Sequence, residues 1–411
     1  MQLRRVVITG LGVISPLGND VGSLISGIES GKSAVVYVPE WEEYIGMRCL
    51  VGAPARMENE KLIPRQNRRS MGRLSIFAVQ ATEQAIKDAE INTEQLTNGR
   101  LGCVIGSTMG SAESIAEAFE IMGTEKNLNK LSSTKFFQCV SHTAAMNVSQ
   151  YLGITGYVLA TSAACASSLQ AIGAGFDLIR LGKQDIMLCG GAEGLHPTVV
   201  GSFDVLYATS SNYNKEPKKT PRPFDSKRDG LVCGEGSGIL VLEDYECAQK
   251  RGAKIYAEII GYNSCGNGSH VSESNHEAII FCIQEALKSA GVVPGDIDYI
   301  NAHATATIQG DKEEAVALAK IFGDSVPVSS LKGYIGHTLG ASGAIELIVS
   351  LIMMQKSRIY PTLNLDDPDK ECSGIKHVMK PLDKEINILL KNCFAFGGIN
   401  AALVCKKEEC K

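Results

Sequence analysis

One cysteine and two histidines have settings that could support nucleophilic chemistry. Cys165 lies in Ala160-Thr161-Ser162-Ala163-Ala164-Cys165-Ala166-Ser167-Ser168, between the extended residues Tyr157-Val158-Leu159 and a long, almost uncharged helical pattern ending near Leu181. A thiol at the N-terminus of a buried helix meets the positive end of the dipole and unpaired N–H groups, which favour its thiolate. The same position suits a small buried hydrophobe, the usual fate of a free cysteine. His303 follows a predicted buried strand in Asn301-Ala302-His303-Ala304-Thr305-Ala306-Thr307-Ile308-Gln309-Gly310-Asp311. His337 precedes a predicted buried helix in Ser330-Leu331-Lys332-Gly333-Tyr334-Ile335-Gly336-His337-Thr338-Leu339-Gly340. A thiolate can attack a carbonyl, and two imidazoles can stabilise the oxyanion or enolate that develops. Each histidine taken singly fits a hydrogen-bonded structural role equally well. His142, His196, His270, His276 and His377 lack a comparable setting and are read as structural or exposed.

The elements that must position these residues form one plan used twice. The first half reads as strand 5–9, a Gly-rich tight turn at Gly10-Leu11-Gly12, helix 20–30, helix 71–89 and strand 101–105. The second reads as strand 255–261, Gly-containing loop 265–268, helix 276–290, linker 292–296 and strand 297–302. Leu74, Ala78, Ala81, Ala85 and Ile86 recur at helical spacing in the 71–89 segment. Segment 157–159, the Cys165 helix and strands 185–189 and 238–243 correspond to 327–329, helix 341–355 and strands 386–390 and 400–405. The pattern predicts duplicated α/β halves with mixed sheets, divided at 1–250 and 251–411. The Cys165 helix and the 341–355 helix are apolar on nearly all faces, which predicts burial between layers.

With 411 residues, 44% apolar and 21% charged, the composition is that of a globular protein with a large core. A net charge of −5 argues against a nucleic-acid surface. The thirteen cysteines show no C-x-x-C pairing and no signal-peptide pattern precedes the first strand, so a disulfide framework and a metal site are not expected and the cytoplasm is. The apolar stretch 344–354 carries Glu346 and is too short to span a bilayer. Gly10-Leu11-Gly12-Val13-Ile14-Ser15 lacks the third glycine of a dinucleotide fingerprint, and no G-x-S-x-G elbow supports a serine hydrolase.

Several motifs in combination resemble one family. They are Val6-Val7-Ile8-Thr9-Gly10-Leu11-Gly12, Ser162-Ala163-Ala164-Cys165-Ala166-Ser167, Arg222-Pro223-Phe224-Asp225 with Arg228-Asp229-Gly230, the His303 and Lys332/His337 segments, and Phe396-Gly397-Gly398. The chain resembles the elongating (type I/II) β-ketoacyl-acyl-carrier-protein synthases, condensing enzymes of the thiolase fold. The resemblance implies a layered αβαβα architecture with mixed five-stranded sheets. It implies that Cys165 takes an acyl chain from its carrier protein, with the oxyanion held by the backbone N–H groups of Cys165 and Phe396. His303 and His337 would then hydrogen-bond the malonyl thioester while CO₂ leaves, and the enolate would attack the acyl-cysteine, extending the chain by two carbons. Lys332 and Glu346 would form an ion pair that organises the histidines, with Asp311 in support. Thr305 and Thr307 would hold the pantetheine amides, Phe396 would gate the cysteine, and Met109, Phe137, Phe203 and Phe394 would contact substrate. The family implies no resident cofactor, the substrates being carried on the phosphopantetheine of acyl carrier protein.

Carrier proteins of this pathway are acidic, so Arg65, Arg68, Arg69, Lys126 and Lys130 are candidate docking cations. The family also implies a homodimer. The alternative within the fold is a type II polyketide or aryl-polyene ketosynthase paired with a Cys-less homologue, and the non-enzymatic alternative is a scaffold with a vestigial thiol. Where the family carries Gly at positions 304 and 395 and Thr at 399, this chain has Ala304, Ala395 and Ile399. Ala restricts backbone freedom that Gly permits, which bears on the Phe396 gate.

Overall fold

The computed structural model describes residues 3–268 and 274–408. Five strands of the first half, β1 (Val6–Ile14), β2 (Leu101–Gly106), β3 (Val158–Leu159), β4 (Ile186–Glu193) and β5 (Gly236–Asp244), lie in the spatial order β3-β2-β4-β5-β1. Those of the second, β6 (Ala257–Gly266), β7 (Tyr299–Asn301), β8 (Pro327–Ser329), β9 (Ile388–Ala395) and β10 (Ile399–Lys406), lie in the order β8-β7-β9-β10-β6. The two orders are the same permutation, with the same parallel and antiparallel pairings. Expected as two separate sheets, they are joined edge to edge: Val6, Val7 and Ile8 of β1 pair antiparallel with Ile259, Glu258 and Ala257 of β6. With the short strand Lys376–His377 beside β8, the ladder runs through eleven strands.

Helices α1 (Arg73–Asp88) and α2 (Ser167–Arg180) belong to the first half, and α3 (His276–Ala290), α4 (Ile308–Phe322) and α5 (Ser342–Lys356) to the second. Helices α2 and α5 share one apolar core with strand residues of both halves. Helix α1 covers the outer face of the first half, and α3 and α4 that of the second, each in a core of its own. The result is the five-layered α/β architecture of the thiolase fold. Segment Leu339–Lys356 has the length and composition of a membrane span, longer than the sequence pattern indicates because the turn before α5 runs straight into it. Its apolar faces pack inside the core.

The tight turn expected at Gly10-Leu11-Gly12 is absent: β1 runs straight through it, with a bulge between Ile8 and Gly10. The glycines are there because α1 lies almost on the strand backbone. A Cβ at Gly10 would sit 2.3 Å from the Ala85 carbonyl oxygen, and one at Gly12 would sit 1.9 Å from that of Ala81. The second half repeats the device, since a Cβ at Gly261 of β6 would meet the Ala286 oxygen of α3 at 2.5 Å. The loop expected at 265–268 is likewise strand as far as Gly266, paired with Ile399. Gly12→Ala is expected to destabilise the fold by about 1–3 kcal/mol through overpacking against the helix backbone, read as a lowered urea midpoint with unchanged m-value.

Candidate active site

Cys165 sits in a 3-10 turn, Ala164–Ala166, that runs into α2. Side chains knit the turn: Ala163 N–H donates to Ser167 Oγ at 2.9 Å, Ser167 Oγ donates to the Ala164 carbonyl at 2.7 Å, and Thr161 Oγ1 donates to the Ser167 carbonyl at 2.8 Å. Ala164 is held at φ 45°, in the left-handed region that disfavours a side chain. Such strain marks a turn fixed by its surroundings. The cysteine is 2% exposed.

His337 is delivered by a loop that the first half clamps. Its N–H donates to the Val232 carbonyl at 2.7 Å, and Gly234 N–H donates to the His337 carbonyl at 2.8 Å. His337 Nε2 then lies 2.9 Å from Cys165 Sγ. His303 leaves the end of β7 with its backbone anchored on α4: its N–H and that of Ala304 donate to Glu314 Oε1 and Oε2 at 2.8 and 2.7 Å. The two imidazoles stand edge to face with centroids 5.2 Å apart, and Phe394 lies 6.2 Å from His303. A sulfur from the first half and two imidazoles from the second thus face one point.

Burial sets the protonation states. The Cys165 thiol is pushed up to about 12, first by burial and then by the neighbouring Cys393, with Lys332 opposing. The thiolate expected at a helix N-terminus is therefore not the resting form, because desolvation outweighs the dipole. Burial also holds both histidines well below their ordinary value, with Lys332 and Lys391 adding to the effect, so both rest neutral. A buried thiol against a neutral imidazole is a nucleophile and its general base before proton transfer. The three donor atoms lie within 4.8 Å of one another, a spread that could also hold a metal ion. Metal-binding histidines normally anchor their second nitrogen. Here Nδ1 of both has no hydrogen-bond partner among the described residues, and the site fits acyl transfer better.

Beneath the imidazoles lies a buried charge cluster. Glu346 of α5 meets Lys332 Nζ at 2.8 Å through Oε1 and Lys391 Nζ at 2.6 Å through Oε2. The first contact is an ion pair outside hydrogen-bonding angles; the second is a hydrogen bond. Glu193 ends β4 and accepts from the N–H groups of Thr108 and Gly340 at 2.8 and 3.0 Å, and burial pushes it up to about 7. Lys391, Glu314 and Glu193 were missed in the sequence. Lys391 carries a signal, a lone charge inside the apolar strand pattern 388–393.

A cavity of about 330 Å³ leads from Cys165, His303 and His337 past Phe394 and Phe396 to Thr305 and Thr307. The two threonine hydroxyls are 3.1 Å apart. Asp311 shapes their loop, accepting from the N–H of Ala306 (φ 71°) and of Phe224 at 3.0 and 2.7 Å; burial pushes it up to about 7. Arg228 ties the same loop down by donating to the Ile308 carbonyl at 2.9 Å. Phe203 stacks 5.8 Å from Phe396 and packs in the small cluster around Cys165.

Met109 and Phe137, expected beside the acyl chain, do not line this cavity in the single chain. Both are exposed, and Phe137 faces a separate groove along β3. Arg65, Arg69, Lys126 and Lys130 are exposed, with Lys130 paired to Glu125 at 2.5 Å, and Arg68 is half-buried. Of the remaining histidines, His196 caps a helix, His276 meets Glu313, His377 meets the Cys372 carbonyl, His142 is exposed, and His270 lies outside the described residues.

Fold and site together define an enzyme that transfers acyl groups through a cysteine thioester. The family model for the Beta-ketoacyl synthase N-terminal domain matches residues 3–248, and that for its C-terminal domain matches 256–366; the chain belongs to the β-ketoacyl synthase family. It is 36% identical to 3-oxoacyl-[acyl-carrier-protein] synthase 1 of Haemophilus influenzae, covering 98% of this chain and 99% of that protein. It is also 36% identical to 3-oxoacyl-[acyl-carrier-protein] synthase 2 of Staphylococcus aureus, covering 99% of each. A crystal structure of a β-ketoacyl synthase from Burkholderia phymatum superposes with a TM-score of 0.96 at 41% identity, covering 99% of this chain and 100% of that one. A type II polyketide ketosynthase bound to its acyl-carrier protein superposes with a TM-score of 0.91 at 32% identity, with the same coverage.

The depressed proton affinity of His337 gives a signed prediction. Neutral at and above pH 6.5, it accepts the thiol proton there and loses that ability only as pH falls through its lowered value. Alkylation of Cys165 by iodoacetamide, followed by mass spectrometry, is expected to show an acid limb below pH 6.5. His337→Ala is expected to slow the reaction at neutral pH by about 10²-fold.

Proposed function

We propose that this chain is a 3-oxoacyl-[acyl-carrier-protein] synthase, joining an acyl group on Cys165 to a malonyl group on acyl carrier protein with loss of CO₂. The observation that carries this reading is the 2.9 Å approach of His337 Nε2 to a buried Cys165 Sγ, with His303 beside it at the end of a cavity. In the first half-reaction, Cys165 gives its proton to His337 Nε2 and attacks the acyl thioester. The carrier thiol leaves with that proton, and the acyl-cysteine remains. The backbone N–H groups of Cys165 and Phe396 take the oxyanion.

Malonyl thioester then occupies the cavity, its pantetheine amides against Thr305 and Thr307. The C–C bond to the carboxylate breaks, CO₂ departs, and the electron pair becomes an enolate whose oxygen accepts hydrogen bonds from His303 and His337. The enolate carbon attacks the acyl-cysteine carbonyl and expels the sulfur as a thiolate, which takes up a proton from solvent to restore the thiol, giving a 3-oxoacyl chain two carbons longer. His337 is thus an acceptor in one half-reaction and a donor in the other. Its Nδ1, free of partners among the described residues, leaves both tautomers open.

The exposed cations Arg65, Arg69, Lys126 and Lys130, with Arg68, would steer an acidic carrier protein to the surface. The homodimer reading is supported by β3, an edge strand paired on one side only, whose Tyr157, Val158 and Leu159 are exposed apolar residues. In such a dimer Phe137 and Met109 would be covered and could reach the partner's acyl chain. Similarity to type II polyketide ketosynthases keeps the heterodimer with a Cys-less homologue as the second reading.

The test incubates the purified protein with malonyl-carrier protein and a ladder of acyl-carrier proteins and identifies products by mass. A single two-carbon extension supports the synthase, and iterated unreduced extension supports the polyketide reading. Absence of acyl transfer to Cys165 would leave only a scaffold. Cys165→Ala is expected to abolish elongation. His303→Ala is expected to slow decarboxylation by about 10²-fold while acyl loading persists, and a folded His303→Ala protein losing both steps equally would contradict the roles assigned.

A further inference from the structure

The feature of the site that the reaction does not explain is its second ammonium. Lys391 lies in β9 among Leu389, Leu390 and Cys393, all fully buried. A buried ammonium is costly unless paired. The carboxylate it pairs with, Glu346, is already engaged by Lys332 through its other oxygen. Two ammoniums therefore face one carboxylate, and all three side chains are 0% exposed.

Other ionisable groups lie around this cluster. From α4, Glu314 is raised above its ordinary value by burial, although the N–H groups of Ala304 and His303 oppose that. Glu193, from β4, is also raised. Cys393 and Tyr299 are raised by burial as well and rest as neutral acids. For Lys391 itself burial opposes the charge, and the attraction and hydrogen bond of Glu346 lead what outweighs it, so the ammonium is retained. The field at His303 and His337 is thus set by Lys332, Lys391, Glu346 and Glu314.

Strand alternation explains how one strand can do this. Successive residues of β9 point to opposite faces: Lys391 turns to Glu346 of α5, in the central layer, while Asn392 turns to Glu314 of α4 and donates to its Oε1 at 3.3 Å. Adjacent residues therefore hold the two carboxylates that frame the imidazoles.

Resting on the condensation reading above, we propose that Lys391 is an electrostatic positioning residue of this site. Through Glu346 it fixes Lys332, and with Lys332 it forms a positive platform that adds to burial in keeping both imidazoles neutral and favours the negative charge on the enolate oxygen over its place on the malonyl carboxylate. Preorganised charge of this kind acts without reorganisation when the anion forms.

The test replaces Lys391 with Met, which removes the charge at nearly constant volume, and follows Cys165 alkylation by iodoacetamide and malonyl-carrier-protein decarboxylation from pH 4.5 to 9. Removing a positive charge makes the imidazoles easier to protonate, so the acid limb of both profiles is expected to move up by about one pH unit. Decarboxylation at neutral pH is expected to fall about tenfold more than acyl loading of Cys165. Profiles that superimpose on those of the unsubstituted protein, whatever the change in thermal midpoint, overturn the proposal and leave Lys391 a structural residue. Should Lys391→Met not fold, Lys391→Gln carries the same measurements. Alkylation does not require condensation, so an unsubstituted protein that fails to decarboxylate malonyl-carrier protein refutes the condensation reading while the alkylation profiles still decide the role of Lys391.

Discussion

The chemistry of this protein is confined to a buried seam at the end of a cavity, and most of the surrounding structure answers that constraint. The start of α5 is bound to the start of α2: Ala344 N–H donates to Ser168 Oγ at 3.1 Å, and Ser342 Oγ donates to the Cys165 carbonyl at 3.4 Å. A Cβ on Gly343 would meet Ser168 Oγ at 2.9 Å, which shows how closely the helices approach. In such a place most polar groups need a protein partner. Glu314 takes the N–H groups around His303, Glu193 takes those of Thr108 and Gly340, and Glu346 takes both lysines. The carboxylates are the internal solvent of the site.

The duplication shows how such a seam arises. Each central helix is preceded by the same 3-10 turn, Ala164–Ala166 before α2 and Leu339–Ala341 before α5. Each turn opens on a non-glycine residue in the left-handed region, Ala164 at φ 45° and Leu339 at φ 47°. Cys165 and Gly340 are therefore equivalent positions with opposite fates. In the first turn the side chain is the nucleophile. In the second it is absent because a Cβ on Gly340 would lie 2.7 Å from Glu193 Oε2, the carboxylate that binds its N–H. The first half carries the reactive atom, and the second supplies the loop that presents His337 to it.

Much of this was legible in the sequence, for identifiable reasons. Long apolar periodicity placed α1, α2, α3 and α5, and a helix apolar on all faces located the central layer. Cys165, His303 and His337 stood out because polar, small residues follow apolar strands. What failed was local. Gly10 and Gly12 read as a turn because glycine marks both turns and close approach, and only the position of α1 separates the two. The thiolate expected at Cys165 rested on the dipole, while burial, which depends on both halves, reverses its sign. Glu314 and Glu193 had no signal because a buried carboxylate is recognised only by the N–H groups it satisfies. Met109 and Phe137 were assigned to the substrate by resemblance, and both are exposed and away from the cavity at Cys165.

The three substituted positions near the gate act through volume and not through backbone strain. Neither Ala304, Ala395 nor Ile399 lies in the left-handed region; that conformation falls on Gly397 and Gly398, which are retained, at φ 89° and 75°. The turn that carries Phe396 thus keeps its two glycines, and a side chain at Gly398 would be strained by its left-handed φ and would have to displace the Asn267 side chain, 2.0 Å from its Cβ. Ala304 is satisfied as it stands, with its N–H on Glu314 and its carbonyl accepting from Ser330 Oγ at 2.8 Å. The methyl of Ala395 is different, because it packs against the cluster formed by Cys165, Ala112, Val199 and Leu339, where Phe203 also rests. One added methyl beside the sulfur narrows the space into which an acyl chain must turn after transfer. On the synthase reading proposed above, the consequence falls on which acyl chains fit.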